Sequence, residues 1–451
     1  MSIIENILAF IFVIGILVTV HEFGHYWVAR LLRVKILRFS IGFGHPLWSR
    51  CFGKDKTEFV IATIPLGGYV KMLDEREDEV APEEVHRAFN RQSLKVRSAI
   101  VFAGPLFNFI FAIIVYAMMY MIGITGMKAF VGDIEPQSIA EQSGFQSGYQ
   151  IIAVNDKPTL HWESIIQTTL EQVLNEKDTI TYSVLTEQNR QYKLNIDLTN
   201  LTIDDIAGGE FFTKIGFKPY RPPPPAMLGK IMPDTPAQQA GFQTGDIILA
   251  LDGQQINDWY DWADYIKQHP GQKIVVDIKR NQQNINLTVI PANVEGKGRV
   301  GVYGPTDYMI PDKYQGLEQY SLGQALIEGT KKSWEISILT LQVMAKMLTL
   351  QVSYEHISGP ITIAEFAGKT SQLGMSAFLS FLGLISVSLG IINLLPVPLL
   401  DGGHLFFYLI EFIKGSPVTE NTEYFLQRIG LILLLCLMGL AIFNDLERLF
   451  N

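Results

Sequence analysis

The sequence predicts a polytopic α-helical membrane protein with four transmembrane helices and two mixed α/β domains inserted between the second and third spans. Three observations carry that expectation. Of 451 residues, 48% are hydrophobic and only 18% charged, and the apolar ones gather into runs of about 20, long enough to cross a bilayer. Residues 132–153 align without gaps on 229–250, which marks an internal repeat. A shorter apolar stretch at 58–72 is broken by Pro65, Gly67 and Gly68 and reads as a β-hairpin, too short between breaks to span. The net charge of -9 comes with no basic stripe, so nucleic acid is not an expected partner. Cys51 and Cys436 lie far apart, and no disulfide framework is expected.

The first span covers residues 1–30. No basic segment precedes it, so it is expected to be retained rather than cleaved. Arg30, Arg33, Lys35 and Arg38 follow with no acid before Asp55, which places that end in the cytoplasm and the N-terminus outside. Its inner half carries His21-Glu22-Phe23-Gly24-His25. On a helix the two histidines lie one turn apart on one face and can reach one metal ion. Glu22 is then placed to take a proton from water at that ion. In a soluble helix such a pair is often an ordinary surface or core feature. Inside a span each ionisable group costs roughly 2.5–3.5 kcal/mol, which favours a functional reading.

Residues 31–97 form a cytoplasmic segment. Its hairpin at 58–72 fits two readings equally, a loop dipping into the membrane beside the first span or part of a small soluble cap. Asp74 to Glu84 is an acidic surface loop. The second span, 98–122, returns the chain to the outside. It carries Gly104, Pro105 and Asn108, whose amide is expected to bond a neighbouring helix.

Between the second and third spans the repeat gives two domains, 127–220 and 221–310. Ala140, Gly144-Phe145-Gln146, Gly148 and Trp162 match Ala237, Gly241-Phe242-Gln243, Gly245 and Trp259. Arg221-Pro222-Pro223-Pro224-Pro225 separates the copies as a stiff extended linker. The second copy, with Ala240-Gly241, Gly245-Asp246-Ile247-Ile248 and Asp252-Gly253, resembles a bacterial PDZ domain. The first resembles a degenerate one, with Tyr149 in place of Asp246 and Asn155-Asp156 in place of Asp252-Gly253. The resemblance implies that an extended peptide is added as a strand, its carboxylate held near Ile215-Gly216-Phe217 or Val300-Gly301-Val302. The glycines would be needed for folding even if both copies were mere spacers.

Residues 321–352 read as a long amphipathic helix, either spanning or lying on the membrane surface. The third span, 376–400, runs into Asn393-Leu394-Leu395-Pro396-Val397-Pro398-Leu399-Leu400-Asp401-Gly402-Gly403-His404. If 321–352 spanned, Asp401 would emerge across the bilayer from His21 and His25; a surface helix brings it to their depth. The surface helix is therefore preferred. Asp401 is the leading third ligand and sits where Pro396, Pro398 and the Gly pair break the helix around a cavity. His404 is the competing ligand, a turn deeper in the next helix. Asn393 either bonds a substrate backbone group or caps the freed helix end. A fourth span at 426–446 leaves the C-terminus outside.

Together these motifs resemble the site-2 protease family of intramembrane zinc metalloproteases. The resemblance runs along essentially the whole chain and includes Ile41-Gly42-Phe43-Gly44, Ile64-Pro65-Leu66-Gly67-Gly68-Tyr69 and Gly104-Pro105 with Asn108. It implies that His21, His25 and Asp401 bind zinc, that Glu22 is the general base, and that the 58–72 hairpin dips into the membrane. Gly67, Gly68 and the strand Phe59–Ile64, or its partner, would hold an unwound substrate by edge pairing. The implied substrates are single-pass membrane proteins already trimmed outside by a periplasmic protease: an anti-sigma factor and remnant signal peptides. The implied location is the inner membrane, with both PDZ domains in the periplasm filtering out untrimmed proteins. An inactive PDZ scaffold or a metal transporter would need no Glu22.

Overall fold

The computed structural model describes residues 3–450 apart from 78, 176, 200, 208, 306, 307 and 350. Its membrane part is built from α1 (Ile3–Leu31), α2 (Leu94–Ile122), α3 (Leu322–Leu348), α4 (Pro360–Leu373), α5 (Met375–Leu394), α6 (Asp401–Lys414) and α7 (Glu420–Phe450). Among the described residues, α1, α2, α5 and α7 are long and apolar enough to cross a membrane. The 20 residues of α5 rise about 30 Å, just the thickness of a hydrocarbon core.

The helix α2 is the hub. Lipid gives helices no hydrophobic reason to associate, so close packing over small residues does the work. Gly24 of α1 rests on the Ala103 carbonyl, Gly329 of α3 on the Ile113 carbonyl and Ala117, and Gly383 of α5 on the Tyr116 ring. A buried cluster of Leu17, Val115, Tyr116, Leu382 and Val387 fills the space between α1, α2 and α5.

The amphipathic stretch at 321–352 forms α3, which is not among the four spans. Ala325, Gly329, Ser333 and Ile336 recur three or four apart and are buried against α2 and its neighbours. Its other side meets the first repeat unit through Lys157–Glu335 and Lys332–Gln167, both at 2.7 Å. The helix α4 has no counterpart in the sequence reading. Asp445 of α7 caps it, accepting from the backbone N–H groups of Gly359 (2.9 Å), Ile361 (2.8 Å) and Thr362 (3.1 Å).

Two long, bent strands follow α1: β1 (Ile36–Phe52) and β2 (Thr57–Met72). Each folds over itself at its Gly- and Pro-rich middle, giving four short stretches. Residues 57–62 pair with 46–52 on one side. On the other side 58–64 pairs with 38–43, the register ascending together from Arg38 with Glu58 to Phe43 with Ile64. Residues 68–72 then pair with the far side of 36–41. The bends at 43–46 and 64–67 expose Phe43, Leu47, Trp48 and Ile64. The opposite end is polar, with Asp55 bonded to Arg87 at 2.8 and 2.6 Å.

The repeat is visible as two sheets of one topology. In the first unit the order is 157–158, 150–154, 179–185, 191–197; in the second it is 254–255, 247–251, 274–280, 283–289. The longest helix of each unit is Trp162–Leu174 or Trp259–Gln268, and each unit has its own buried core. The chain enters and leaves this region through one antiparallel ribbon, Ile124–Met127 against Gln315–Glu318.

Candidate metal centre

Helix α1 sets His21 and His25 one turn apart, with ring centroids 4.9 Å apart and planes at 82°. Their Nε2 atoms stand 3.3 Å apart. The third corner comes from 376 positions along the chain. After α5 ends at Leu394, Pro396 and Pro398 forbid a continuing helix, and Leu399 adopts a left-handed backbone (φ 98°) that non-glycine residues avoid. Then α6 starts, folded back against the end of α5. Gly402 lies on the carbonyls of Leu394 and Leu395, and Gly403 on that of Val397; a Cβ at either would collide. This fold-back aims Asp401 at α1. Its Oδ2 is 3.1 Å from His21 Nε2 and 3.5 Å from His25 Nε2.

The donor set fits a zinc ion. Ligands about 2.0–2.1 Å from a tetrahedral zinc stand about 3.3 Å from one another, and the three edges here are 3.1, 3.3 and 3.5 Å. Asp401 Oδ2 is buried without a hydrogen-bond partner, as expected of an oxygen reserved for a cation. His25 donates from Nδ1 to the Ile100 carbonyl at 2.8 Å, which directs its Nε2 lone pair into the centre. Gly104 of α2 closes the floor: a Cβ there would run into His25 Nε2 and come within 2.8 Å of His21 Cε1. Among the described residues these three are the one His/Cys/Asp/Glu group arranged to hold a metal.

Glu22 is half-buried beside the first histidine, and its Cγ is 3.0 Å from where a Cβ of Gly68 would be. The 68–72 stretch therefore begins beside the candidate base. Sequence reasoning gave Phe59–Ile64 or its partner as the open edge. The register corrects the first choice: Phe59–Ile64 has a strand on both sides, while among the described residues 68–72 has a paired strand on one side. Asn393 lies half-buried in the last turn of α5. His404 is on α6, ring against Phe407 at 6.3 Å, and is outside the metal-binding group.

Ile215, Gly216 and Gly301 stand apart from this centre, in the repeat units. Gly216 (φ 87°) and Gly301 (φ 81°) pack on Ser138 and Thr235, the residues that precede the short helices 139–142 and 236–239. Their carbonyls accept the N–H groups of Glu135 and Met232 at 2.8 and 2.9 Å, and Ile215 is fully buried. The Asn108 amide bonds a neighbouring helix as expected, and the partner is His21 itself: its Nδ2 is 3.1 Å from His21 Nδ1. A polar residue four positions after a glycine, in a span, was the available signal.

Two histidines and an aspartate at zinc spacing, a carboxylate beside them and a peptide-like strand edge overhead define a metalloprotease built into a membrane helix bundle. Peptidase family M50 matches residues 9–437. The regulator of sigma-E protease RseP of Escherichia coli is 43% identical over 453 residues, covering 100% of both chains. A putative zinc metalloprotease of Vibrio cholerae is 42% identical over 452 residues, covering 99% of this chain and 100% of its own. Among solved structures, the PDZ domain of an SdrC-like protein from Listeria monocytogenes overlaps 19% of this chain and 92% of its own, at 18% identity and a TM-score of 0.17. The chain belongs to peptidase family M50, and the enzyme is a metalloprotease of the site-2, intramembrane type.

Proposed function

We propose that His21, His25 and Asp401 hold one zinc ion and that Glu22 is the general base for cutting a peptide bond in or near the transmembrane segment of single-pass membrane proteins. The observation that carries this is the three-sided nitrogen and oxygen cage at zinc spacing, assembled from two separate membrane helices. Zinc bound there supplies Lewis acidity toward the scissile carbonyl and the attacking water. Glu22 takes the water proton at a carboxylate oxygen and hands it to the leaving amine as the C–N bond breaks. A substrate helix must first give up its own backbone hydrogen bonds. The open edge at 68–72 offers replacements, with Gly68 leaving room beside Glu22 and Gly67 leaving room against the Phe43 ring. Asn393, at the mouth of the broken helix, bonds a substrate backbone group.

The basic cluster after α1 supports a centre toward the cytoplasm with the termini and repeat units on the other side, and the likeness to the sigma-E protease relatives supports the inner membrane and a periplasmic place for the units. The repeat units act as PDZ domains, with Ile215, Gly216 and Gly301 at their carboxylate loops, and exclude untrimmed proteins. The relatives' sigma-E role points to an anti-sigma factor, already cut by a periplasmic protease, as a substrate, with remnant signal peptides as a second class. Membrane lipid surrounds the spans and the exposed bends of the hairpin.

The test is Glu22→Gln, assayed for cleavage of a transmembrane substrate with zinc content measured alongside. The expected outcome is a rate lower by about 10²–10⁴-fold with zinc still bound. Undiminished cleavage sinks the assignment.

A further inference from the structure

A histidine that offers Nε2 to a metal must carry its proton on Nδ1, and a partner that accepts this proton fixes both tautomer and ring angle. His25 has such a partner in the Ile100 carbonyl, a group that can only accept. His21 needs one as well. The group at its Nδ1 is the Asn108 amide, 3.1 Å away and fully buried in α2. As drawn, the amide nitrogen faces the ring and Oδ1 is buried with no partner. A half-turn of the amide exchanges oxygen and nitrogen without moving any other atom. The two orientations differ in what they ask of His21. With nitrogen facing it, Nδ1 must be bare and the proton is forced onto Nε2, pointing at His25 and Asp401. With oxygen facing it, the proton lies on Nδ1 and the Nε2 lone pair points into the centre, as for His25.

We propose that Asn108 is the positioning residue of His21: its Oδ1 accepts the Nδ1 proton and holds the imidazole in the tautomer that binds metal. The backbone supports the role. The Asn108 carbonyl accepts the Ser386 hydroxyl at 2.8 Å, tying this point of α2 to α5, so the amide is set by two helices while it orients a ligand on a third. Gly104, one turn earlier, lets the same helix come close enough to do so. The inference rests on the zinc reading above.

Zinc affinity of the full chain in detergent, measured by competition with a chromophoric chelator, tests it without recourse to activity. Asn108→Leu keeps the size and removes the acceptor; affinity is expected to fall about 10–100-fold. Asn108→Asp offers only acceptor oxygens and is expected to match or exceed the natural residue. An aspartate variant no tighter than the leucine variant overturns the proposal, because that is the result if the amide nitrogen donates to His21. Melting of the metal-free variants separates folding from binding. Should the aspartate variant fail to fold, a cycle of His21→Ala with Asn108→Leu decides: their effects on affinity are expected to be non-additive, and full additivity overturns the proposal. A natural chain that binds no zinc would overturn both readings, whereas zinc binding indifferent to Asn108 overturns this one alone.

Discussion

Gly104 carries no chemistry, yet the centre depends on it. Any side chain there enters the space of both histidine rings, His21 and His25. Gly104→Ala is therefore expected to weaken zinc binding at least about tenfold while His21, His25 and Asp401 stay in place. Chelator competition measures this, and unchanged affinity would show that α2 can retreat. His21, Glu22 and His25 were legible in the sequence because ionisable groups inside an apolar run stand out against their cost. Asp401 was legible through a topology count. Gly104 and Asn108 were visible only as small or polar residues in a span. Their relation to the ligands depends on the rotation of α2 against α1, which no periodicity within α2 encodes.

At the level of elements, the strands after α1 show where local pattern misleads. Residues 58–72 were anticipated as strands, but Ile36–Phe52, interrupted by Gly42, Gly44 and Pro46, was not. In three dimensions those residues make the bend that doubles the strand over. At the polar end, paired N–H donors of Arg87 hold the Asp55 carboxyl below the usual carboxylate range. A lowered folded pKa means that the clamp stabilises above the unfolded value, about 3.9, and is lost as pH falls through the folded one. Hydrogen-exchange protection at 53–57, corrected for the intrinsic rate at each pH, should therefore fall on acidification in that window, and Asp55→Asn should remove the dependence. The repeat units offer a second contrast. Asp246, 1% exposed, takes two bonds at 2.7 Å from Arg280 and locks the second sheet; the first unit has Tyr149 instead and no charge to satisfy. Asp246→Ala leaves Arg280 uncompensated and is expected to destabilise that unit by about 3 kcal/mol. Limited proteolysis should cut within 229–302 sooner, with zinc binding unchanged. Early cutting of both units would show that they unfold together.

At the level of the whole molecule, the four long apolar helices were readable from hydropathy and the two sheets of one topology from the ungapped repeat. The docking of α3 between α2 and the first unit was not, because an amphipathic pattern says that a face is buried and not by what. The filtering role proposed for the units makes a prediction at this scale. Removing 127–310 should let the enzyme cleave full-length substrate that the complete chain rejects, with the rate on trimmed substrate nearly unchanged. A persistent need for prior trimming would place the filter elsewhere, in the helices themselves.

The ribbon of Ile124–Met127 and Gln315–Glu318 has a consequence of its own. Its two strands are the arms of an ordinary hairpin, with ends about 5 Å apart, and everything from 128 to 314 is the loop between them. The membrane core thus closes its own backbone before the outer domains begin. Evolution can lengthen, duplicate or exchange that loop as a cassette, provided the face that receives α3 through Lys157–Glu335 and Lys332–Gln167 is kept.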